Sequence, residues 1–142
     1  MTSRDKVKNM IKEHEGCRYS VYKDSVGVLT CGYGHALHEG SEVPEEVADI
    51  FFKYDFMRAE EDATTIEIGN GLNLNAVRHA VLTDMAFNLG YGGLIKFKKF
   101  IKAMKLQQYR LASVEMLDSR WAIQVGQRAR YLSELMEKGE WI

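Results

Sequence analysis

The sequence predicts an α+β fold that is mainly α. Helical apolar spacing at the N-terminus gives way to a short run of aromatic and β-branched residues around a glycine turn. From Pro44 onward helical spacing returns and persists to the end of the chain. The 142 residues suit one domain, 1–142, with enough apolar residues to bury a core. No internal repeat, low-complexity tract or linker interrupts it.

Thr2 followed by Asp5 approximates a capping box, so the first helix starts there and carries Val7, Met10 and Ile11 on one face. It ends at Glu15, with Gly16 where a left-handed cap is commonly needed. Tyr19, Val21 and Tyr22, then Val28 and Leu29, flank Asp24-Ser25-Val26-Gly27, which reads as a β-hairpin turning at Gly27. Pro44 is placed to open a long helix running past Glu61, whose stripe of Val47, Ile50, Phe51, Tyr54 and Met57 reads as core. Ile68-Gly69-Asn70-Gly71 breaks that periodicity. Asn73 or Asn75 can then cap a helix through Phe87, apolar on most sides and therefore central, with Gly90, Gly92 and Gly93 ending it. Phe97, Phe100, Ile101 and Met104 alternate with Lys96, Lys98, Lys99, Lys102 and Lys105 in a short helix with a basic outer face. Leu111, Val114, Leu117 and Trp121 suggest another helix. Tyr131, Leu132, Leu135 and Met136 suggest a last one, stopped at Gly139.

The formal net charge is −1, and no nucleic-acid motif accompanies the lysines, so their ordinary reading is a solvated helix flank. MTSRDKVKNM lacks the apolar core of a signal peptide, and no stretch could span a bilayer. Cys17 and Cys31 are the only cysteines and read as partly buried free thiols, with a disulfide as the alternative. A nucleophilic Cys31 lacks a cysteine-protease context. No cluster has metal-ligand spacing, and Gly90 to Gly93 lacks the lysine and preceding strand of a phosphate cradle, so no metal or cofactor is expected.

The chemistry concentrates between Ile11 and Leu37. Glu15 stands at the negative end of a helix dipole, a setting that suits a carboxyl kept as a general acid. Asp24 lies beside the hairpin turn, and Thr30 supplies a hydroxyl shortly after. Two carboxylates in unlike environments are the minimum equipment for glycoside hydrolysis, although acid pairs at such separations are common on protein surfaces. The full set is more specific. Glu15-Gly16, Asp24, Thr30 and Gly32-Tyr33-Gly34-His35 together resemble the signature of the phage lysozymes, glycoside hydrolase family 24. Asp84 to Gly93 is similar to that family's mid-chain helix and glycine loop, and Ser119-Arg120-Trp121 with Arg128 to its late helix and turn. Gly139-Glu140-Trp141 is similar to its ending. Between His35 and Pro44 the chain is shorter than the T-even type.

The resemblance implies a lysozyme-like, two-lobed fold. A small β-hairpin lobe would cover about 16–43 and a connecting helix about 44–66. A helical lobe would take about 67–142 together with the N-terminal helix. It implies an endo-acting muramidase cleaving the β-1,4 bond between N-acetylmuramic acid and N-acetylglucosamine of peptidoglycan. Glu15 would be the proton donor, with Asp24 and Thr30 holding the attacking water. Arg128 matches the arginine that faces the catalytic glutamate, its other reading being a surface arginine on the last helix. His35 would pair with Asp55, and Phe87 and Asn88 would line the sugar groove. A monomer is expected, with no nucleic-acid partner and no membrane insertion. It would be held in the host cytoplasm until a separate holin-like protein opens the way to the wall, and the lysine face offers at most a local attraction to wall phosphates or carboxylates. The competing readings are a lytic transglycosylase and a non-catalytic wall-binding or virion structural module.

Overall fold

The computed structural model describes residues 1–142. Helix α1 (Ser3–Glu15) begins in a complete capping box: the Thr2 N–H donates to Asp5 Oδ2 at 3.0 Å, and the Asp5 N–H donates to Thr2 Oγ1 at 3.2 Å. It stops at Gly16, whose φ of 68° turns the chain out of the helix while its N–H closes on the Lys12 carbonyl.

Strands β1 (Arg18–Lys23), β2 (Leu29–Gly32) and β3 (His35–Leu37) follow as an antiparallel sheet in that order. Tyr22 faces Thr30 and Lys23 faces Leu29 across the first pair, which is irregular between Arg18 and Tyr22. The hairpin at Gly27 is as the sequence predicts. Strand β3 is an addition to that reading; it pairs Cys31 with His35 and Thr30 with Ala36. Its three residues are too few to register as an alternating pattern. The chain reaches it through Gly32-Tyr33-Gly34, whose glycines have φ of 62° and 72°.

Close contacts divide the chain into two compact units, Met1–Glu45 and Glu46–Ile142. Helix α1 and the sheet both lie in the first unit. The second unit contains nearly all of α2 (Glu45–Gly69), then α3 (Ala76–Leu94), α4 (Lys98–Lys105), α5 (Tyr109–Leu117), α6 (Arg120–Val125) and α7 (Gln127–Lys138). No helix is long and apolar enough to cross a membrane.

The core lies in the second unit, built on Leu82, Met85, Leu94, Phe100, Met104, Met116, Leu135 and Met136. Helix α2 enters it through Ala59, Ala63 and Ile66. The stripe of Ile50, Phe51, Tyr54 and Met57, read from sequence as core, is exposed. At 25 residues α2 is about 37 Å long, longer than the core it serves, so only its C-terminal half is covered. Asn75 caps α3 by accepting from the Arg78 N–H at 2.9 Å, and helical structure continues past Phe87 through a break at Gly90 (φ 71°) to Leu94. Leu111, Val114 and Leu117 are exposed, and α5 instead buries Ala112, Ser113 and Met116. Trp121 belongs to a separate helix, because Ser119 leaves the helical conformation and caps α6 through the Ala122 N–H.

Two hydrogen-bond sets tie α3 to the end of α7. The Arg78 guanidinium donates to the carbonyls of Met136 (2.7 Å) and Glu137 (2.9 Å) and lies 3.6 Å from the centre of the Tyr109 ring. Asn75 Nδ2 donates to the Gly139 carbonyl at 3.0 Å. Helix C-terminal carbonyls lack intrahelical partners, and the arginine supplies them.

Candidate active site

In the first unit, Glu15 is the last residue of α1 and its side chain is turned toward the β2–β3 turn. A β-carbon built on Gly34 would stand 2.6 Å from Glu15 Oε2 and 3.1 Å from Cδ. The glycine of the Gly-Tyr-Gly-His stretch is thus needed twice, for its left-handed backbone and for the room it leaves the carboxyl. Glu15 is exposed.

Asp24 is held by the hairpin it helps to form. Its Oδ1 accepts from the N–H groups of Val26 (2.9 Å) and Val28 (2.8 Å), while its own N–H donates to the Val28 carbonyl at 2.9 Å. Such local bonds are what place aspartate in turns. Thr30 is buried in the middle strand, and its Oγ1 donates to the same Val28 carbonyl at 2.9 Å. No hydrogen bond joins Asp24 to Thr30 directly. Both are anchored to the Val28 backbone instead, which receives Thr30 on its carbonyl and donates its N–H to Asp24. Asp24 Oδ2 and the lone pairs of the threonine hydroxyl are left without protein partners. His35 opens β3 and is exposed. Cys17 and Cys31 are free and partly buried.

In the second unit, Asp84, Phe87 and Asn88 share one face of α3. Arg128 of α7 is held by Asp84: Nε donates to Oδ1 at 2.8 Å, and Nη2 lies 2.7 Å from the same oxygen. Asp84, which sequence reading quoted but gave no role, is the partner it missed; its place one turn before Phe87 and Asn88 was the available signal. Asn88 Oδ1 accepts from Trp121 Nε1 at 2.7 Å, which leaves its Nδ2 as the group free to donate to a ligand. The Phe87 ring lies tilted against Phe52 at 5.8 Å between centroids and lines, with Phe56, His79, Asp84 and Arg128, a cavity of about 410 Å³. Asp55 lies on the exposed face of α2, near Arg58 and Asp62.

These features can be set beside known proteins. The phage lysozyme family model matches residues 12–138. The chain belongs to the phage lysozyme family. It is accordingly a glycoside hydrolase of the lysozyme type, a muramidase-type enzyme of peptidoglycan. Two relatives in Dictyostelium discoideum, probable T4-type lysozymes 2 and 1, are 25% and 24% identical over 94% of the chain and 94% of each relative. The pre-baseplate central spike protein Gp5 of Enterobacteria phage T4 is 27% identical over 92% of the chain, which corresponds to 27% of that larger protein. The sequence resemblance to phage lysozymes is therefore upheld, as is the mainly α, α+β fold.

Proposed function

We propose that this lysozyme-family chain hydrolyses the β-1,4 bond between N-acetylmuramic acid and N-acetylglucosamine, with Glu15 as the proton donor to the leaving oxygen. The observation that carries the reading is the fit of the Glu15 carboxyl against Gly34, which commits the end of α1 and the glycine turn to one another. Asp24 and Thr30 hold the attacking water. Support for this comes from their common anchor at Val28 and from the acceptor atoms that each has left over. A water so held attacks the anomeric carbon from the face opposite the acid and inverts it, which calls for carboxyls separated by about 6.5–9.5 Å. Asn88, oriented by Trp121, would offer N–H donors to a sugar, with Phe87 beside it. Arg128, His35 and Asp55 are assigned supporting roles. The enzyme would act as a monomer and reach the wall through a separate holin-like protein.

A second reading, a virion-borne module, is favoured by the similarity to the baseplate spike protein. Clearing of purified peptidoglycan by wild type and Glu15→Gln, with mass spectrometry of the fragments, tests all readings. Reducing muropeptides from wild type alone support the hydrolase. Anhydro ends would identify a transglycosylase, and no fragments from a folded wild type would identify a binding module. Loss of a positioned general acid costs on the order of 10²- to 10⁴-fold in rate.

A further inference from the structure

Between Asp84 and Glu115 the chain holds no acidic residue, yet Lys96, Lys98, Lys99, Lys102 and Lys105 fall within it. This is unusual in a protein whose 20 acidic residues outnumber its 19 basic ones. Helix α4 cannot rotate to disperse these charges, because Phe100, Ile101, Ala103 and Met104 are locked in the core. Lys98, Lys102 and Lys105 are therefore presented outward together, at spacings of four and three residues. Like charges so spaced repel, and Lys98 in the first turn also opposes the helix dipole. None of the ion pairs of the protein includes an α4 lysine. Lys102 and Lys105, in the last turn, complement the dipole, but the repulsion among the three lysines is relieved by no ion pair.

The same three lysines rim a groove of about 420 Å³ that also contains Asn70, Tyr91 and Ile95. On the other flank of the helix, Glu115 and Asp118 stand near Lys96, Lys98 and Lys99, whereas the groove that Lys98 shares with Lys102 and Lys105 is lined by no acidic residue. Asn70 Nδ2 donates to the Ile66 carbonyl at 2.8 Å, which leaves Oδ1 to accept from a ligand hydroxyl. The exposed Tyr91 ring offers an apolar face to carbon-bound hydrogens. A ligand that satisfies all of these carries repeated phosphates joined by a polyol or sugar.

We infer that the Lys98-Lys102-Lys105 groove binds a phosphodiester-linked polyol or sugar polymer of the bacterial wall. The choice of the wall as its source rests on the proposed function. Lysine ammonium groups are point charges that accept flexibly spaced phosphates, unlike the planar forks of arginine. A single tyrosine is a poor platform for successive nucleobases, which argues against nucleic acid. The exposed apolar residues of the groove are Tyr91 and Ile95 alone, whereas insertion into a lipid surface calls for an extended apolar face.

The test is titration calorimetry of the whole protein with purified poly(glycerol phosphate), using wild type, a triple variant Lys98→Gln, Lys102→Gln, Lys105→Gln, and the corresponding triple arginine variant. Wild type and the arginine variant bind with an affinity that falls as salt rises. The glutamine variant loses on the order of 100-fold, from about 1 kcal/mol for each lysine near a phosphate surface. Both variants keep wild-type fragment release from sacculi stripped of phosphate polymer by hydrofluoric acid. Equal affinity in the glutamine variant, or no binding by wild type, would overturn the inference. So would lysine-dependent binding to equal-part phosphatidylcholine and phosphatidylglycerol vesicles that exceeds binding to the polymer. Fragment release without polymer binding refutes this inference alone, and polymer binding without fragment release refutes the muramidase reading alone.

Discussion

Glu15 Oε2 lies 2.6 Å from the point where a β-carbon on Gly34 would stand. The atom that must yield to any side chain at position 34 is thus the carboxyl oxygen assigned to proton donation. Gly34→Ala is expected to lower turnover at least about tenfold by displacing that oxygen, since misplacement of about 1 Å can cost far more. It also destabilises by about 1–2 kcal/mol through the left-handed backbone. Gly40→Ala is the control, with φ of 87° and nothing within 4 Å: it should cost stability with turnover intact. Equal turnover in the two variants would separate Glu15 from the chemistry.

Asp24 uses Oδ1 for the hairpin and leaves Oδ2 for the water-holding role proposed for it. Asp24→Asn can keep Oδ1 as an acceptor for Val26 and Val28, so it should fold normally and release few or no fragments. Asp24→Ala gives up both bonds and should lose a further ~1–3 kcal/mol in urea unfolding. Substantial turnover in the asparagine variant would remove Asp24 from the site.

Arg78 closes the end of α7 from α3. Arg78→Met retains much of the packing on Tyr109 but loses two charge-assisted bonds, and should lower stability by about 2–4 kcal/mol, read as a fall in thermal midpoint. Fragment release measured well below that midpoint should not change.

The capping box makes α1 sensitive to acid. The Thr2 hydroxyl, then the Thr2 backbone, hydrogen-bond Asp5 and hold its carboxyl below the ordinary value of 3.8. A carboxyl whose value is lowered on folding stabilises above its unfolded value, and that contribution is lost as pH falls through the folded one. The first turn of α1 should therefore fray only below about pH 4. Amide chemical shifts of residues 2–6 report this, and Thr2→Ala should weaken the transition; identical titrations in both proteins would contradict the role.

Much of this was legible in the sequence because it depends on local rules. The capping box, the glycine stop after Glu15, the hairpin at Gly27 and the Asn75 cap each follow from a few adjacent residues. The buried face of α4 was equally clear from its spacing. What was not legible depends on length and partners. The stripe on α2 is periodic whether or not anything covers it, and only the structure shows the core reaching no further than Ala59. Helices α5 and α6 share one apolar rhythm, and the break at Ser119 was hidden by it. The Asp84–Arg128 and Asn88–Trp121 pairs join residues far apart in sequence, and no spacing rule announces them.

Val28 presents a different kind of dependence. Its N–H secures Asp24 and its carbonyl receives Thr30, and neither contact involves its side chain. Position 28 could drift among valine, isoleucine or threonine with the pair undisturbed. Proline alone, by deleting the N–H, would break the anchor without altering any residue assigned to the chemistry. Tolerance at such a position is thus a poor guide to its importance, because what it contributes is a backbone N–H and carbonyl that nineteen of the twenty amino acids carry alike.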